Sequence, residues 1–244
     1  MKEVVIVLSV LALIISSYGQ KTKKQPNVAN NEEVSQTEPL TEISQTTASE
    51  FKILQLEFGF KVTAVLIEEF FPTFKLYEHF KLERNGNIIF SDSLLEFEFC
   101  DKLFPIVLQT GNNCFELLFE VNNRPFKNYL KRFFITNNKL VGQDKLPTFE
   151  AKPLDINNDG IKEYAGFWYS SEVWGENDDI TAYNPILYYS VTKNGLKLDS
   201  LLTKQRNEMI YGQFYEFSYN ENEEQPISIF KKFEQELKLI RNER

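Results

Sequence analysis

Short turn signals recur along most of this chain, and they constrain its fold more than any other feature. Asn85-Gly86, Asn137-Asn138 and Asn194-Gly195 each separate two runs that are rich in β-branched and aromatic residues. Asn-Gly supplies the positive backbone angles that a tight hairpin turn requires. The run Cys114–Val121 alternates like a half-buried strand. Turns spaced by roughly 10 to 20 residues predict a mainly β fold, an antiparallel sheet stack, sandwich or barrel-like arrangement.

The C-terminal segment has a different periodicity. Phe230, Phe233, Leu237 and Ile240 recur at spacings of three and four, with lysines and glutamates between them. That spacing places the apolar side chains on one face of a helix. We therefore predict an amphipathic helix over about residues 227–242, which packs on one end of the sheet or, alternatively, binds a partner.

The N-terminus is typical of a secretory signal peptide. Val4–Ile15 is almost continuously apolar, but it is too short to cross a bilayer, which takes about 20 residues. Ser17 and Gly19 are small residues at the −3 and −1 positions of a cut before Gln20. The pattern predicts a signal peptide over residues 1–19 and an exported protein that is periplasmic, cell-surface or secreted. An uncleaved anchor and a buried N-terminal helix are the alternatives.

The composition divides the rest of the chain into two parts. Residues 21–50 contain no aromatic residue and few aliphatic ones, so they cannot bury enough apolar surface to offset the entropy of ordering. We predict a disordered linker over residues 20–50. Aromatic residues become frequent at Phe51, and residues 51–244 are long enough for a single β-rich domain.

The net charge limits the class of partner. The formal charge is −8 at pH 7, and an acidic surface disfavours both nucleic acid and anionic lipid. The expected partner is an unidentified protein or glycan, and no transmembrane segment is expected in the mature chain.

Two cysteines, Cys100 and Cys114, are the only ones in the chain. Export places them in an oxidising compartment, where a pair normally forms a disulfide. Such a bridge would stabilise the fold by roughly 3 kcal/mol on the chain-entropy account. Two separate free thiols are the alternative.

The stretch LDINNDGIKEYAGFWY, from Leu154 to Tyr169, contains the strongest chemical pattern in the chain. Oxygen-bearing side chains occupy loop positions one, three and five, a glycine occupies position six, and a carboxylate occupies position nine. Calcium takes about six to eight oxygen ligands, and hard oxygens without sulfur or imidazole favour it over transition metals. The predicted ligands are the side chains of Asp155, Asn157, Asp159 and Glu163 and the backbone carbonyl of Ile161.

This loop differs from an EF-hand, which has a bidentate glutamate at position twelve and an exiting helix. Here position twelve is Gly166, and a strand-like run follows. The segment Asp155–Glu163 instead resembles the calcium loops of FG-GAP and VCBS repeats, which occur in integrin-type propeller blades and in many exported bacterial proteins. In that family an acidic residue at position nine completes the site and a strand follows. The resemblance implies a calcium-stabilised turn, and a single copy of the motif does not imply a propeller.

Two further interpretations concern the same region. A single calcium loop in an exported β protein is similar in architecture to periplasmic proteins related to lysozyme inhibitors. The loop is also compatible with a polar turn that binds no metal, because Asn, Asp and Gly favour turns for backbone reasons alone. If calcium binds, another carboxylate is needed, and the segment Gly175–Asp179 offers three, although it is equally typical of a solvated loop.

Catalytic patterns are weak by comparison. His79 is the only histidine, and it lies in a strand pattern without a nucleophile-elbow serine. We interpret it as a surface or packing residue. Zinc sites use several His or Cys ligands, and phosphate-binding loops are rich in glycine; neither pattern occurs in the sequence.

The segment 163–179 supports one alternative function. Its acids lie close in sequence to two tryptophans, and paired carboxylates with aromatic platforms are typical of sugar-cleaving sites. The opposing interpretation is that Phe167 and Tyr169, or Trp168, fill the core. The sequence thus predicts an exported, non-enzymatic binding or cell-envelope protein with one structural calcium turn, and the alternative is a carbohydrate-active module or glycoside hydrolase. The residues of that alternative are Glu163, Trp168, Glu172, Trp174, Asp178 and Asp179.

Overall fold

The computed structural model of the protein describes residues 50–71, 74–99, 103–169, 173–174, 180–217 and 230–243. All of them belong to one compact unit, Thr47–Arg244. The predicted signal peptide and the predicted linker, apart from its last residue, lie outside the described residues.

Nine of the described strands form one large antiparallel sheet. In chain order they are Phe51–Gln55 (β1), Phe60–Phe71 (β2), Phe74–Arg84 (β3), Asn87–Asp92 (β4), Phe97–Glu98 (β5), Ile106–Gly111 (β6), Cys114–Val121 (β7), Tyr129–Thr136 (β8) and Lys139–Pro147 (β9). Their spatial order is β1-β2-β3-β5-β7-β8-β9, while β4 pairs with β3 and β6 with β7. Within the described residues β1 and β9 each pair with one neighbour, so this sheet does not close into a barrel. The prediction of a mainly β, antiparallel fold is confirmed.

Two of the predicted hairpins are formed by turns in which both central residues have positive φ. Asn85-Gly86 connects β3 to β4 with φ of 50° and 82°, and Asn137-Asn138 connects β8 to β9 with φ of 50° and 61°. Positive φ at both positions defines the type I′ turn, whose twist matches that of the strands it joins. Asparagine and glycine tolerate this conformation better than other residues.

Strand β7 is buried on both faces, so the prediction of a half-buried strand is wrong there. Phe115, Leu117 and Phe119 pack into a phenylalanine-rich core on one side of the large sheet, and Leu118 packs into a second core on the opposite side. The alternation of residues within β7 could not predict burial of both faces, because the layer that covers the second face comes from residues far along the chain.

That covering layer is a smaller sheet. It consists of β10 (Glu163–Gly166), β13 (Leu187–Thr192) and β14 (Gly195–Leu198), and a separate pair contains β11 (Val173–Trp174) and β12 (Ile180–Thr181). The predicted third hairpin is confirmed as β13–β14, but its two turn residues are Lys193 and Asn194. Gly195 begins β14 with φ of 96°.

Two helices lie on the far side of the smaller sheet. Helix α1 (Ser200–Tyr211) was not predicted; Asp199 caps it by accepting a hydrogen bond from the Leu202 amide at 2.8 Å. Helix α2 (Phe230–Arg241) confirms the predicted C-terminal helix, of which residues 227–229 lie outside the described residues. Phe233, Leu237 and Ile240 of α2 pack in a third core with α1 and the smaller sheet. Neither helix is long and apolar enough to cross a membrane, and this holds for every helix in the described part of the chain.

Candidate calcium-binding loop

The predicted calcium loop is closed at its base by a pair of backbone hydrogen bonds. The Leu154 amide donates to the Glu163 carbonyl at 3.0 Å, and the Glu163 amide donates to the Leu154 carbonyl at 2.7 Å. Glu163 then begins β10, where it lies opposite Ser190 of β13. The residues between Leu154 and Glu163 therefore form a discrete loop at the entry to the smaller sheet.

The alternate side chains of the loop turn inward onto its own backbone. Asp155 Oδ1 and Asn157 Oδ1 accept hydrogen bonds from the same amide, that of Asp159, at 3.0 and 3.1 Å. The amide of Gly160 donates to Asp155 Oδ2 at 3.0 Å, and the amide of Ile161 donates to Asp159 Oδ1 at 2.8 Å. The oxygens of Asp155 and Asn157 thus converge on one point of the loop. A carboxylate or amide oxygen has two lone pairs, so one such bond does not exhaust it.

Glu163 lies beneath this loop and is almost completely buried. Its residue is 1% exposed, and its Oε2 accepts a hydrogen bond from the Ile156 amide at 3.1 Å. Its Oε1 is buried and has no hydrogen-bond partner. A buried polar atom without a partner is unfavourable, and a carboxylate oxygen more so than a neutral one. This oxygen is the feature of the loop that a polar turn alone does not explain.

The electrostatic surroundings of Glu163 also favour a cation. Burial raises the pKa of its carboxyl group, and the Ile156 amide partly opposes that rise. The neighbouring carboxylates of Asp159, Asp155 and Asp199 raise the pKa further. A positive charge placed among these groups would stabilise the ionised form.

The ligand types at the loop are mixed. Within the described ranges, no group of three or more His, Cys, Asp or Glu side chains could hold a metal ion. A cation here would therefore depend on other oxygens as well, such as the amide of Asn157 and the carbonyl of Ile161. Calcium accepts amide and carbonyl oxygens together with carboxylates, so the residues present fit calcium better than a transition metal.

The predicted disulfide is not supported by the described structure. Cys114 begins β7 as a free, half-buried thiol, whose sulfur lies 3.6 Å from the Asn112 carbonyl oxygen and 3.7 Å from Thr136 Oγ1. Cys100 lies outside the described residues. The pairing of the two cysteines therefore stays a prediction.

Three of the six residues of the predicted carbohydrate site also lie outside the described part of the chain. This applies to Glu172, Asp178 and Asp179. Trp168 is half-buried and packs against both the first and the second core, while Phe167 is buried in the third. Both faces of this segment therefore contribute to packing.

His79 occupies a β-bulge of β3, where it has φ of 51° and is exposed. It borders a cavity of about 270 Å³ together with Ser91, Asp92 and Ser93. Asp92 Oδ1 accepts hydrogen bonds from the amides of Leu94 and Leu95, both at 2.8 Å. A histidine base is oriented by a hydrogen bond to a carboxylate, and none of the bonds described for Asp92 serves that purpose.

No protein-family model, curated protein or solved structure matches this chain. The sequence patterns described above did not identify a site in the segment that follows β7, where the structure places a polar pocket lined by Arg124, Pro125 and Phe126. The dense mixture of amide, cationic and aromatic residues over 122–128 was the available signal.

Proposed function

We propose that this protein is an exported, non-enzymatic binding protein of the cell envelope, and that its loop Asp155–Glu163 binds calcium. The observation that carries the calcium proposal is the buried Oε1 of Glu163, which has no hydrogen-bond partner. The other carboxylate oxygen of Glu163 accepts from the Ile156 amide of the loop, in which Asp155 and Asn157 both accept from the Asp159 amide. The FG-GAP and VCBS resemblance of the same residues agrees with this assignment.

The role of the ion would be structural. The loop stands between β9 of the large sheet and β10 of the smaller one, and Glu163 belongs both to the loop and to β10. The carboxylates of Asp155, Asp159 and Glu163 do not already form a group that could hold a metal ion. Calcium would therefore draw them together with Asn157 and the Ile161 carbonyl, and it would supply positive charge among them. Its binding would therefore stabilise the start of the smaller sheet.

Thermal unfolding of the full mature chain, with calcium and with a chelator, tests the proposal. A ligand present at 100 times its Kd stabilises by about 2.7 kcal/mol, which for a domain of this size corresponds to a rise in Tm of roughly 5 to 10 °C. Asp155→Ala and Asp159→Ala should abolish the rise. Glu57→Gln, which changes an exposed carboxylate outside the loop, should retain it. Equal melting temperatures for the wild-type protein in calcium and chelator would refute the calcium site.

Glu163→Gln gives a sharper version of this test. Without calcium, an ionised and buried carboxylate is unfavourable, so the variant should be at least as stable as the wild type near neutral pH. With calcium the order should reverse, because only the wild type gains from the ion. A variant that is less stable by the same amount in calcium and in chelator would contradict the proposed role of Glu163.

Export can be tested separately from calcium. When the full chain is produced in a bacterial host, the mature protein should leave the cytoplasm and begin at Gln20. A cytoplasmic protein that retains Met1 would refute export and leave the calcium test unaffected.

A further inference from the structure

A second polar site lies at the end of the large sheet where β7 is connected to β8. The segment between β7 and β8 borders a pocket of about 360 Å³, whose lining also includes Glu120 and Thr148. This volume is at the lower end of the range for small-molecule sites. None of the proposed calcium ligands lines the pocket.

The loop that forms the pocket is fixed by its own hydrogen bonds. The Phe126 amide donates to the Asn123 carbonyl at 2.9 Å, and Asn123 Nδ2 donates to the Lys127 carbonyl at 3.2 Å. Thr148 Oγ1 donates to the Asn128 carbonyl at 2.7 Å, which ties the loop to the segment after β9. In this rigid setting the Phe126 side chain is left 63% exposed at the edge of the pocket. An aromatic ring presented by a pre-organised loop is a binding surface that loses little entropy when a ligand is bound.

Two buried carboxylates provide fixed hydrogen-bond acceptors at this end of the sheet. Glu98 of β5 and Glu120 of β7 lie directly opposite each other, and they are 7% and 9% exposed. Asn128 Nδ2 donates to Oε1 of Glu98 at 2.9 Å and to Oε1 of Glu120 at 3.1 Å. A single amide thus holds both carboxylates in place.

The cations around the pocket balance these acids. Arg124 pairs with Glu98 at 3.2 Å, and Lys127 pairs with Glu150. Glu150 also pairs with Arg241 of α2 at 2.7 Å. Of these charged groups, Glu120, Arg124 and Lys127 line the pocket, and Glu98, Glu150 and Arg241 belong to the ion-pair network that holds them. The whole network contains three carboxylates and three cations, so it has no excess formal charge. A site of this kind offers many fixed polar groups, but no net attraction for an anion or a cation.

We infer that this pocket binds a neutral sugar residue. A sugar ring has an apolar face that packs on an aromatic side chain such as Phe126, and a rim of hydroxyl groups that both donate and accept hydrogen bonds. Carboxylates and cations held in fixed positions match such a rim, because charged partners form the stronger hydrogen bonds. The balanced charge distinguishes a neutral sugar from its acidic and amino counterparts.

Ligand-observed saturation-transfer NMR on the full mature chain tests the inference. The neutral probes are glucose, galactose, N-acetylglucosamine and the disaccharide of N-acetylglucosamine. Glucuronate and glucosamine are the charged counterparts. At least one neutral probe should show saturation transfer, and its charged counterparts should bind at least 10-fold more weakly. The inference would be overturned if none of the neutral probes showed saturation transfer, or if the charged probes bound equally well.

Variants locate the binding and control for folding. Phe126→Ala removes an exposed ring, so it should leave Tm unchanged and weaken the bound sugar at least 10-fold, while Phe126→Tyr should restore binding. Phe51→Ala is the matched control, since Phe51 is 60% exposed on β1; it should bind like the wild type. Undiminished binding by Phe126→Ala would place the sugar elsewhere and contradict the inference. Chelation of calcium should not affect binding, so failure here is distinguishable from failure of the calcium proposal.

Discussion

The phenylalanine-rich core of the large sheet and the core between the smaller sheet and its two helices are stabilised in different ways. The phenylalanine-rich core of the large sheet is almost entirely aromatic and aliphatic, and Phe80 stacks on Phe97 there with ring centroids 4.3 Å apart. The core under α1 and α2 also contains buried polar residues. Thr203, Asn207 and Asn184, for example, are each at most 1% exposed.

The polar residues of α1 act as a substitute for a neighbouring strand. Asn207 Oδ1 accepts from the Ile186 amide at 3.0 Å, and its Nδ2 donates to the Ile186 carbonyl at 2.8 Å. Thr203 Oγ1 accepts from the Tyr188 amide at 3.1 Å. The helix therefore satisfies the backbone beside β13 through its side chains. The stability of this region therefore depends on individual hydrogen-bonding groups, whereas that of the large-sheet core depends on the volume of its apolar side chains.

The largest expected effect comes from the aromatic core. Phe80→Ala removes a ring that is 1% exposed and contacts Phe97, Phe119 and Phe133. We expect a loss of about 3 to 5 kcal/mol in the free energy of unfolding, measured by urea denaturation. Phe58→Ala, at a ring that is 42% exposed, should cost much less. Similar losses of stability in the two variants would show that the phenylalanine-rich core is not the main source of stability.

Asn207→Leu tests the contribution of the buried polar side chains of α1. The substitution leaves the Ile186 amide and carbonyl without their partner, and each buried group costs about 1 to 3 kcal/mol when unpaired. We expect a loss of about 2 to 4 kcal/mol. Hydrogen exchange should accelerate at Ile186 and Tyr188 but remain slow in β7 and β8. Unchanged exchange at Ile186 would show that the side chain of α1 is not its essential partner.

Gly195→Ala probes the contact between the two sheets. An added Cβ would lie 1.9 Å from Glu116 Oε1, and φ at this position is 96°. We expect a loss of about 1 to 3 kcal/mol from backbone strain and displacement of Glu116. Gly86→Ala is the matched control, because its φ is 82° and its added Cβ would meet nothing within 4 Å. Equal losses would indicate that only the backbone conformation matters.

The smallest expected effect concerns the charge of Glu116. This carboxylate accepts from the Leu196 amide at 3.1 Å, and burial raises its pKa, against the opposing effects of that amide and Arg132. Because the pKa of Glu116 is higher in the folded state than in the unfolded state, the wild type loses stability as the pH rises above the ordinary pKa of a glutamate. Glu116→Gln should therefore gain stability relative to the wild type as the pH rises from the ordinary pKa of a glutamate to the raised one. A variant that loses stability relative to the wild type over the same pH range would contradict this prediction.

The sequence predicts the large sheet better than the region under the helices, and the reason is physical. Hairpins are local, so Asn85-Gly86 and Asn137-Asn138 identify their strands without knowledge of the rest of the fold. The order of non-consecutive strands is different, because β5 lies between β3 and β7 through contacts that no local pattern encodes. Helix α1 was missed because its buried face uses Thr203 and Asn207, which break the apolar periodicity. Its cap at Asp199 and the glycine at 212 were the remaining signals.

The candidate calcium site was predictable only in part. The spacing of Asp155, Asn157 and Asp159 predicts a calcium loop or, alternatively, a polar turn. The structure shows a turn in which these side chains accept hydrogen bonds from backbone amides. The almost complete burial of Glu163 could not be predicted, because it depends on the pairing of β10 with β13. Calcium binding itself stays a proposal.

The base of the loop has a consequence for engineering. Since Leu154 and Glu163 exchange both backbone hydrogen bonds, the residues between them form an insert with adjacent ends. An exchange of these residues for a plain two-residue turn would keep the ends of the flanking chain in place. It would remove four of the five proposed calcium ligands and leave Glu163 in β10.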